Sequence, residues 1–332
     1  MNTIYLVTGA AGHLGSTVVR LLLQRGETVR GLILPGETTP LPEGCYAFTG
    51  NVCSPMSLLP FFHHTSEEEL VVIHCAGIVS ISSHYDKKIY DVNVLGTRNL
   101  LALCRQFCIR KLIYVSSVHA IAEEPMGHII TETDHFDPKL VKGMYAQTKA
   151  QATKLVLEAA KQGLPACVVH PSGILGPYDP GHGHLTALVR DYCRHQLTAG
   201  VKGGYDFVDV RDVAAGILSC CEKGEPGNCY ILSGQYSSVR NLLDTLSRVA
   251  GEKPIRTYLP LWFAKLTAPL SEIYYQVRHE PPLYTSYSLY TLSSNACFSH
   301  EKATRTLGYQ PRPLEETLED TVEWLRSHGK IA

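Results

Sequence analysis

A short apolar run that opens directly into three spaced glycines constrains this chain more than any other stretch. Ile4 to Val7 is apolar, Gly9, Gly12 and Gly15 come next, and from Ser16 to Gln24 the residues Val18, Val19, Leu21, Leu22 and Leu23 fall at helical spacing. A strand, a glycine turn and a helix in that order leave the first helical N–H groups unpaired. With the positive end of the helix dipole, they favour a pyrophosphate. Gly9 would permit the tight turn, Gly12 would let backbone approach phosphate, and Gly15 would let the helix pack close to the strand. An ordinary strand-to-helix loop has the same outline, so the residues downstream must decide between the two.

The bulk properties narrow the partners. At 332 residues the chain can bury a large α/β core, and 45% hydrophobic with 18% charged residues describes a compact protein. The net charge is −1 with no run of five like charges, which argues against a nucleic-acid surface and leaves a small molecule as the expected partner. Glu67-Glu68-Glu69 reads as a solvated helix start or loop. The 11 cysteines include no Cys-x-x-Cys pair, and Cys104 and Cys108 lie one helical turn apart among apolar residues. Reduced thiols, core packing, no metal and a cytoplasmic setting are the expectation. The nearest approach to a membrane span, Tyr258 to Tyr275, is interrupted by Lys265, Pro269 and Glu272.

Strands and helices alternate down the chain. Thr28 to Leu34 is a second strand candidate, and its end usually selects the cofactor: an acid for NAD, a nearby arginine for NADP. Here it ends Leu32-Ile33-Leu34, silent on NAD against NADP. Ala47 to Val52 is a third strand, ending in Asn51, a polar loop residue or an adenine contact. Leu70 to His74 is continuous and apolar, as for a parallel strand buried on both faces. It closes in Cys75-Ala76-Gly77, small enough for a flat ligand to lie across, with His74 better read as a satisfied core histidine than as a ligand. Tyr90 to Cys108 is helical, with Asn93 either turned inward to hold backbone or facing out. Lys111 to Ser116 is a strand ending at Ser116-Ser117. The pattern is a doubly wound parallel sheet, whose ligands sit at the carboxyl ends of strands.

A polar loop from Ala120 to Lys142 leads into a helix from Tyr145 to Lys161, closed by Gly163. Tyr145 and Lys149 share a face, and an ammonium beside a phenol would lower the tyrosine pKa toward working pH. A chain with 18 tyrosines and 14 lysines meets this spacing by chance about once. Only Tyr145 has it, and it lies downstream of both a glycine turn and a serine-ended strand.

Together, Thr8-Gly-Ala-Ala-Gly-His-Leu-Gly15, Asn93-Val-Leu-Gly-Thr97, Tyr114-Val-Ser-Ser117, Tyr145-x-x-x-Lys149, His170-Pro-Ser-Gly-Ile-Leu-Gly-Pro177 and Phe207-Val-Asp-Val-Arg-Asp-Val213 resemble the extended short-chain dehydrogenase/reductase family, in family order. Within the epimerase/dehydratase superfamily the look is most similar to dihydroflavonol-reductase-like and 3β-hydroxysteroid-dehydrogenase-like members. The resemblance implies a Rossmann fold and NAD or NADP. Gly9, Gly12, His13, Leu14 and Gly15 would hold the pyrophosphate, Asn51 and Val52 would line the adenine pocket, and Ala76 and Gly77 would pass beneath the cofactor. Tyr145 would be the acid/base, Lys149 would bond the nicotinamide ribose, and Ser117, in preference to Ser116, would orient the substrate. Pro171 and Ile174 would flank the nicotinamide. A homodimer through the helices around Asn93 and Tyr145 is implied by the same analogy. One departure is Val118-His119, where nucleotide-sugar dehydratases carry Asp-Glu, which lowers an elimination reading.

The implied organisation is a dinucleotide-binding domain over 1–175, to which 206–232 returns, and a smaller, mostly helical substrate part over 176–205 and 233–332. In the latter, His182 and His184 are candidate substrate contacts or solvated loop residues. Leu185 to Leu197 is expected to be helical, and Asp212 is expected to cap the helix running to Cys220. Leu242 to Val249, Trp262 to Val277 and Leu314 to Leu325 are further helices, and Trp262, Phe263, Tyr274 and Tyr275 are expected to cover the core rather than line a pocket. The activity expected is hydride transfer between nicotinamide and a secondary alcohol or ketone. A nucleotide-sugar epimerase and a non-catalytic dinucleotide sensor are the alternatives.

Overall fold

A computed structural model of the chain describes residues 2–81, 85–180, 183–268 and 285–332. Strands β1 (Asn2–Thr8), β2 (Thr28–Ile33), β3 (Tyr46–Thr49), β4 (Glu68–His74), β5 (Lys111–Val115), β6 (Ala166–Pro171), β7 (Gly173–Leu175), β8 (Gly200–Val201), β9 (Gly204–Asp209), β10 (Cys229–Leu232), β11 (Gln235–Ser238) and β12 (Tyr258–Leu259) alternate with helices. These are α1 (His13–Gln24), α2 (Pro55–Phe62), α3 (Lys87–Tyr90), α4 (Thr97–Gln106), α5 (Met144–Lys161), α6 (His184–Cys193), α7 (Val210–Lys223) and α8 (Val239–Ala250). They continue with α9 (261–268), α10 (Ser286–Thr291), α11 (Glu301–Leu307) and α12 (Leu314–Ser327).

Seven strands form one sheet in the order β10-β6-β5-β4-β1-β2-β3, and every pairing in it is parallel. The order reverses beside β1, which places a ligand crevice over the carboxyl ends of β1 and β4. Parallel strands buried on both faces need apolar side chains on both faces. In β4, Leu70 and Val72 point into a core with Leu100, Val156 and Phe62, while Val71 and Ile73 point into the opposite core with Val18, Val213 and Ile217. Helices α2, α4 and α5 therefore cover one face, and α1 and α7 the other. A third apolar cluster joins α6, α8 and α12 to Leu175 and Phe207. The later part of the chain is less purely helical than its sequence suggests, because β11-β9-β7 form a second sheet and β12-β8 a third.

Several boundaries move for local reasons. Helix α1 begins at His13, since Gly12 already sits at its N-cap. Strand β3 stops at Thr49 because Asn51 turns the chain, its Oδ1 accepting from Cys53 N at 2.9 Å. Glu68 and Glu69 open β4 rather than a helix or loop. The helix expected from Tyr90 starts at Lys87 and carries a π-turn, Asp91–Gly96, before resuming as α4. Asp209, not Asp212, caps α7, accepting from Arg211 N at 2.7 Å. Its side chain is fully buried and takes Arg211 in a bidentate pair, with the Arg312 Nε 3.6 Å away. Asp212 instead pairs with Arg312. Helix α6 ends at Cys193, short of Leu197.

In α9, Trp262 and Phe263 are 69% and 40% exposed, so the expectation that they cover the core is wrong: their side chains fall on the outer face of that helix. Tyr274, Tyr275 and the rest of that expected helix lie outside the described residues, as does His182. Cys104 is buried as expected, but Cys108 lies past the end of α4 and is exposed. Among the described residues, every cysteine is a free thiol, no metal-ligating cluster occurs and no helix is long and apolar enough to cross a membrane.

Candidate functional site

The glycine turn closes over the carboxyl end of β1. Gly9 has φ +68, a left-handed conformation that side chains resist, and a Cβ there would come within 2.8 Å of Ala76 N. A Cβ on Gly15 would run into the Gly9 carbonyl, so α1 can sit this close to the turn only with glycine. Gly12 caps α1 without a side-chain hydrogen bond, which leaves the first-turn N–H groups to an anion. His13 belongs to the same turn, but its ring faces away from it. Nε2 bonds Pro177 O at 2.9 Å, Asp179 lies 4.0 Å from Nδ1, and burial lowers the imidazole pKa. Leu14 packs on the core cluster behind β1.

Asn51 and Val52 lie just past β3. Asn51 spends its carbonyl oxygen on the turn, and Val52 is buried under Gly96, where a Cβ would approach Val52 Cγ2 to 2.6 Å. Beyond β4, Ala76 donates its N–H to Thr8 Oγ1 at 3.1 Å, and Gly77 leaves exposed backbone over Lys149. A Cβ on Gly77 would stand 3.2 Å from Lys149 Nζ and 3.3 Å from Asn93 Oδ1, so the strand end stays open only because that side chain is absent. His74 is a satisfied core residue, bonded to Thr8 Oγ1 (2.7 Å) and Thr97 Oγ1 (3.2 Å) and held neutral by burial, with a pKa of about 3.

Asn93 turns inward. Its Oδ1 accepts from Ile78 N at 2.8 Å, and its Nδ2 donates to Ile78 O and Thr148 Oγ1, both at 3.1 Å. The π-turn around it supplies the reach, since a π-turn shifts the side chains beyond it relative to a regular helix.

Ser117, Tyr145 and Lys149 meet where β5 ends and α5 begins, and each is nearly completely buried. The Ser117 hydroxyl, which accepts from His119 N at 3.2 Å, lies by the Tyr145 phenol and works to lower its pKa. Ser116 points the other way, 2.7 Å from Thr153 Oγ1. Lys149 Nζ donates to Val115 O at 2.8 Å and lies 5.1 Å above the Tyr114 ring. Burial lowers its pKa to about 8. The phenol does not show the lowering expected from the neighbouring ammonium. Burial pushes Tyr145 up to about 12, and only the Ser117 hydroxyl acts against that. In the chain by itself, Lys149 is committed to backbone and ring instead. Behind the site, His170 Nδ1 bonds Ser117 O at 2.9 Å, and its ring stacks on Phe136 at 5.3 Å. Pro171 ends β6 buried, and Ile174 lies half-buried in β7, paired with Val208.

Over Tyr145 lies an aromatic wall that the sequence did not single out. The His119 ring stands edge-to-face on Tyr145 (6.1 Å, 73°) and nearly parallel to Tyr205 (5.6 Å, 14°), whose hydroxyl bonds His119 Nε2 at 2.9 Å. Burial holds His119 neutral, with a pKa of about 4. Tyr287 of α10 completes the group, 6.1 Å from His119. The opening beyond is lined by Ile121, Ile130, Val141, Tyr290 and Phe298 and by the polar Glu123, Ser294 and Asn295. Among the described residues Lys142 is its one cation, 4.6 Å over the Tyr290 ring. His184 is exposed at the start of α6 and is not part of this wall.

Sheet order, glycine turn and the tyrosine–lysine face together define a dinucleotide-binding α/β enzyme of the Rossmann class. The chain belongs to the NAD dependent epimerase/dehydratase family, whose family model matches residues 5–232. It is 30% identical over 334 residues to Sterol demethylase protein B of Methylococcus capsulatus, covering 98% of this chain and 99% of that one. It is 29% identical over 364 residues to 3 beta-hydroxysteroid dehydrogenase type 7 of Homo sapiens, covering 98% and 96%. The crystal structure of gox2253 superposes with a TM-score of 0.85 at 30% identity, over 100% of both chains. As a member of this family the chain is an NAD(P)-dependent enzyme of the extended short-chain dehydrogenase/reductase type.

Proposed function

We propose that the chain is an oxidoreductase that interconverts a secondary alcohol and a ketone on an apolar, ring-bearing small molecule. The observation that carries this reading is the buried Tyr145 phenol beside Ser117, with the buried Lys149 one turn further along the same helix. Bound NAD(P) supplies or accepts the hydride at the substrate carbon. The glycine cradle fits its pyrophosphate, and Ala76, Gly77, Pro171 and Ile174 bound the space for the rest, with Asn51 and Val52 at the adenine end.

In reduction, Tyr145 gives its phenolic proton to the ketone oxygen as the C–H bond forms, so that carbonyl becomes alcohol. In oxidation the phenolate takes that proton back. Ser117 orients the substrate oxygen onto Tyr145, and the Lys149 cation would hold the nicotinamide ribose and stabilise the phenolate once cofactor is bound. A pKa near 12 keeps Tyr145 protonated, in the donor form, at neutral pH.

The wall of His119, Tyr205, Tyr287 and Phe298 suits flat apolar rings, whereas a nucleotide diphosphate calls for cations and finds, among the described residues, Lys142 alone. The names of the sterol and hydroxysteroid relatives point the same way. Tyr145→Phe should lower kcat for any ketone consumed with NADH or NADPH by about 10²- to 10⁴-fold while cofactor binding is kept. Undiminished turnover would overturn the role of Tyr145. Tightly retained cofactor with no net oxidation on any ketone would favour an epimerase instead.

A further inference from the structure

Residues 176–180 form a strap that runs from β7 to α6, and side chains of α1 hold it. His13 opens α1, so its backbone belongs to the pyrophosphate turn, yet its ring reaches across to the strap. Nε2 donates to Pro177 O at 2.9 Å, and Asp179 Oδ2 lies 4.0 Å from Nδ1. Two turns further along α1, the Arg20 guanidinium sits over the Tyr178 ring at 5.3 Å. Asp179, 1% exposed, carries the contact onward, since the same Oδ2 accepts from Gly183 N at 3.1 Å, at the N-cap of α6. A continuous line therefore runs from the cofactor cradle through His13 and Asp179 to the start of α6.

The strap is held under strain. Tyr178 has φ +72, a left-handed conformation that a bulky side chain resists and that persists only where surrounding contacts impose it. Gly176, at φ +136, has no room for a side chain: a Cβ would stand 2.7 Å from Val210 Cγ1 and 3.4 Å from Asp209 Oδ1. The segment is wedged between α1 and the start of α7 in a form its own backbone disfavours. Loss of an anchor favours its release.

We propose that His13 is a positioning residue that couples the dinucleotide to this strap. When the cradle fills, the first turn of α1 is fixed, and His13 holds residues 176–180 and the start of α6 in the strained form. The assignment rests on dinucleotide binding and goes beyond the hydride-transfer reading, which can fail without it. Arg20, away from the cradle, anchors the strap equally in the free and loaded chain.

Hydrogen exchange at the amides of Tyr178, Asp179, Gly183 and His184, with and without saturating NADH or NADPH, tests it. In the intact chain the dinucleotide should slow these amides about tenfold. His13→Phe should keep the slowing at the cradle and bring the factor at the strap close to one. His13→Gln, whose Nε2 still offers a donor to Pro177 O, should retain most of it. Arg20→Ala should speed exchange in both states and leave the factor unchanged, as a purely structural anchor does. An intact strap that does not respond to dinucleotide overturns the assignment. So does a His13→Phe chain that keeps the full factor or no longer binds dinucleotide, or a His13→Gln chain that loses the factor as completely as His13→Phe. If melting shows that His13→Phe does not fold, Asp179→Asn decides. It keeps an oxygen for Gly183 N and weakens only the link to His13, so the factor at Gly183 and His184 should fall, and an unchanged factor there overturns the proposal.

Discussion

Lys149→Met should make the folded chain more stable while removing its activity, and the size of the gain should depend on pH in a set direction. Burial lowers the Lys149 pKa from 10.5 to about 8, so the ammonium carries about 3 kcal/mol of unfavourable free energy relative to the unfolded chain. Between pH 8 and 10.5 the unfolded chain binds the proton that the folded chain has released. Stability therefore rises with pH across that window, and the burden is fully present below pH 8. Methionine has no such group. It also forgoes the bond to Val115 O, which works against the variant by about 1 kcal/mol at every pH.

The net expectation at pH 7 is a variant about 2 kcal/mol more stable than the natural chain, with the difference falling by about 3 kcal/mol by pH 10.5. Urea unfolding of both proteins at pH 7, 8.5 and 10, with equal m-values, reads it directly. Taking the difference between the two proteins cancels the other titrating tyrosines and cysteines. A stability difference that stays flat with pH, or grows as pH rises, would refute the reasoning.

Other substitutions probe the cradle and the frame. Gly15→Ala places a methyl group against the Gly9 carbonyl, so cofactor affinity should drop sharply and stability should fall by about 1–3 kcal/mol, read by cofactor titration and thermal melting. Asp209→Ala removes the α7 cap and a carboxylate shared by Arg211 and Arg312, which keep Asp320 and Asp212, and should cost about 1–3 kcal/mol in denaturant unfolding. Asp209→Asn, which keeps the cap on α7, should cost less.

What the sequence made legible was whatever is local and periodic. The glycine turn, the apolar strands and the four-residue spacing of Tyr145 and Lys149 are all set by neighbours along the chain. Two acids near the start of α7 are equivalent in composition, and only the backbone angles and the arginines packed around them decide that Asp209 caps while Asp212 pairs. Trp262 and Phe263 are apolar, but apolar identity does not state which face of α9 they occupy. The aromatic wall was hidden for a different reason. His119, Tyr205 and Tyr287 come from separate stretches, and no spacing rule links residues that meet only after the chain has folded back twice. The π-turn at Asn93 was equally silent, because one extra residue in a helical turn leaves no mark on an apolar repeat.

The position of β10 bears on how the protein emerges from the ribosome. Strand β6, all six of whose residues are buried, lies between β5 and β10, yet β10 is made only after β7, β8, β9 and the helices α6 and α7. Until Cys229–Leu232 are made, β6 is an apolar open edge of the kind that recruits foreign strands. During synthesis the nascent chain must shelter that edge, with its own later segments or with a chaperone. The last strand to join the sheet is the one that ends its exposure.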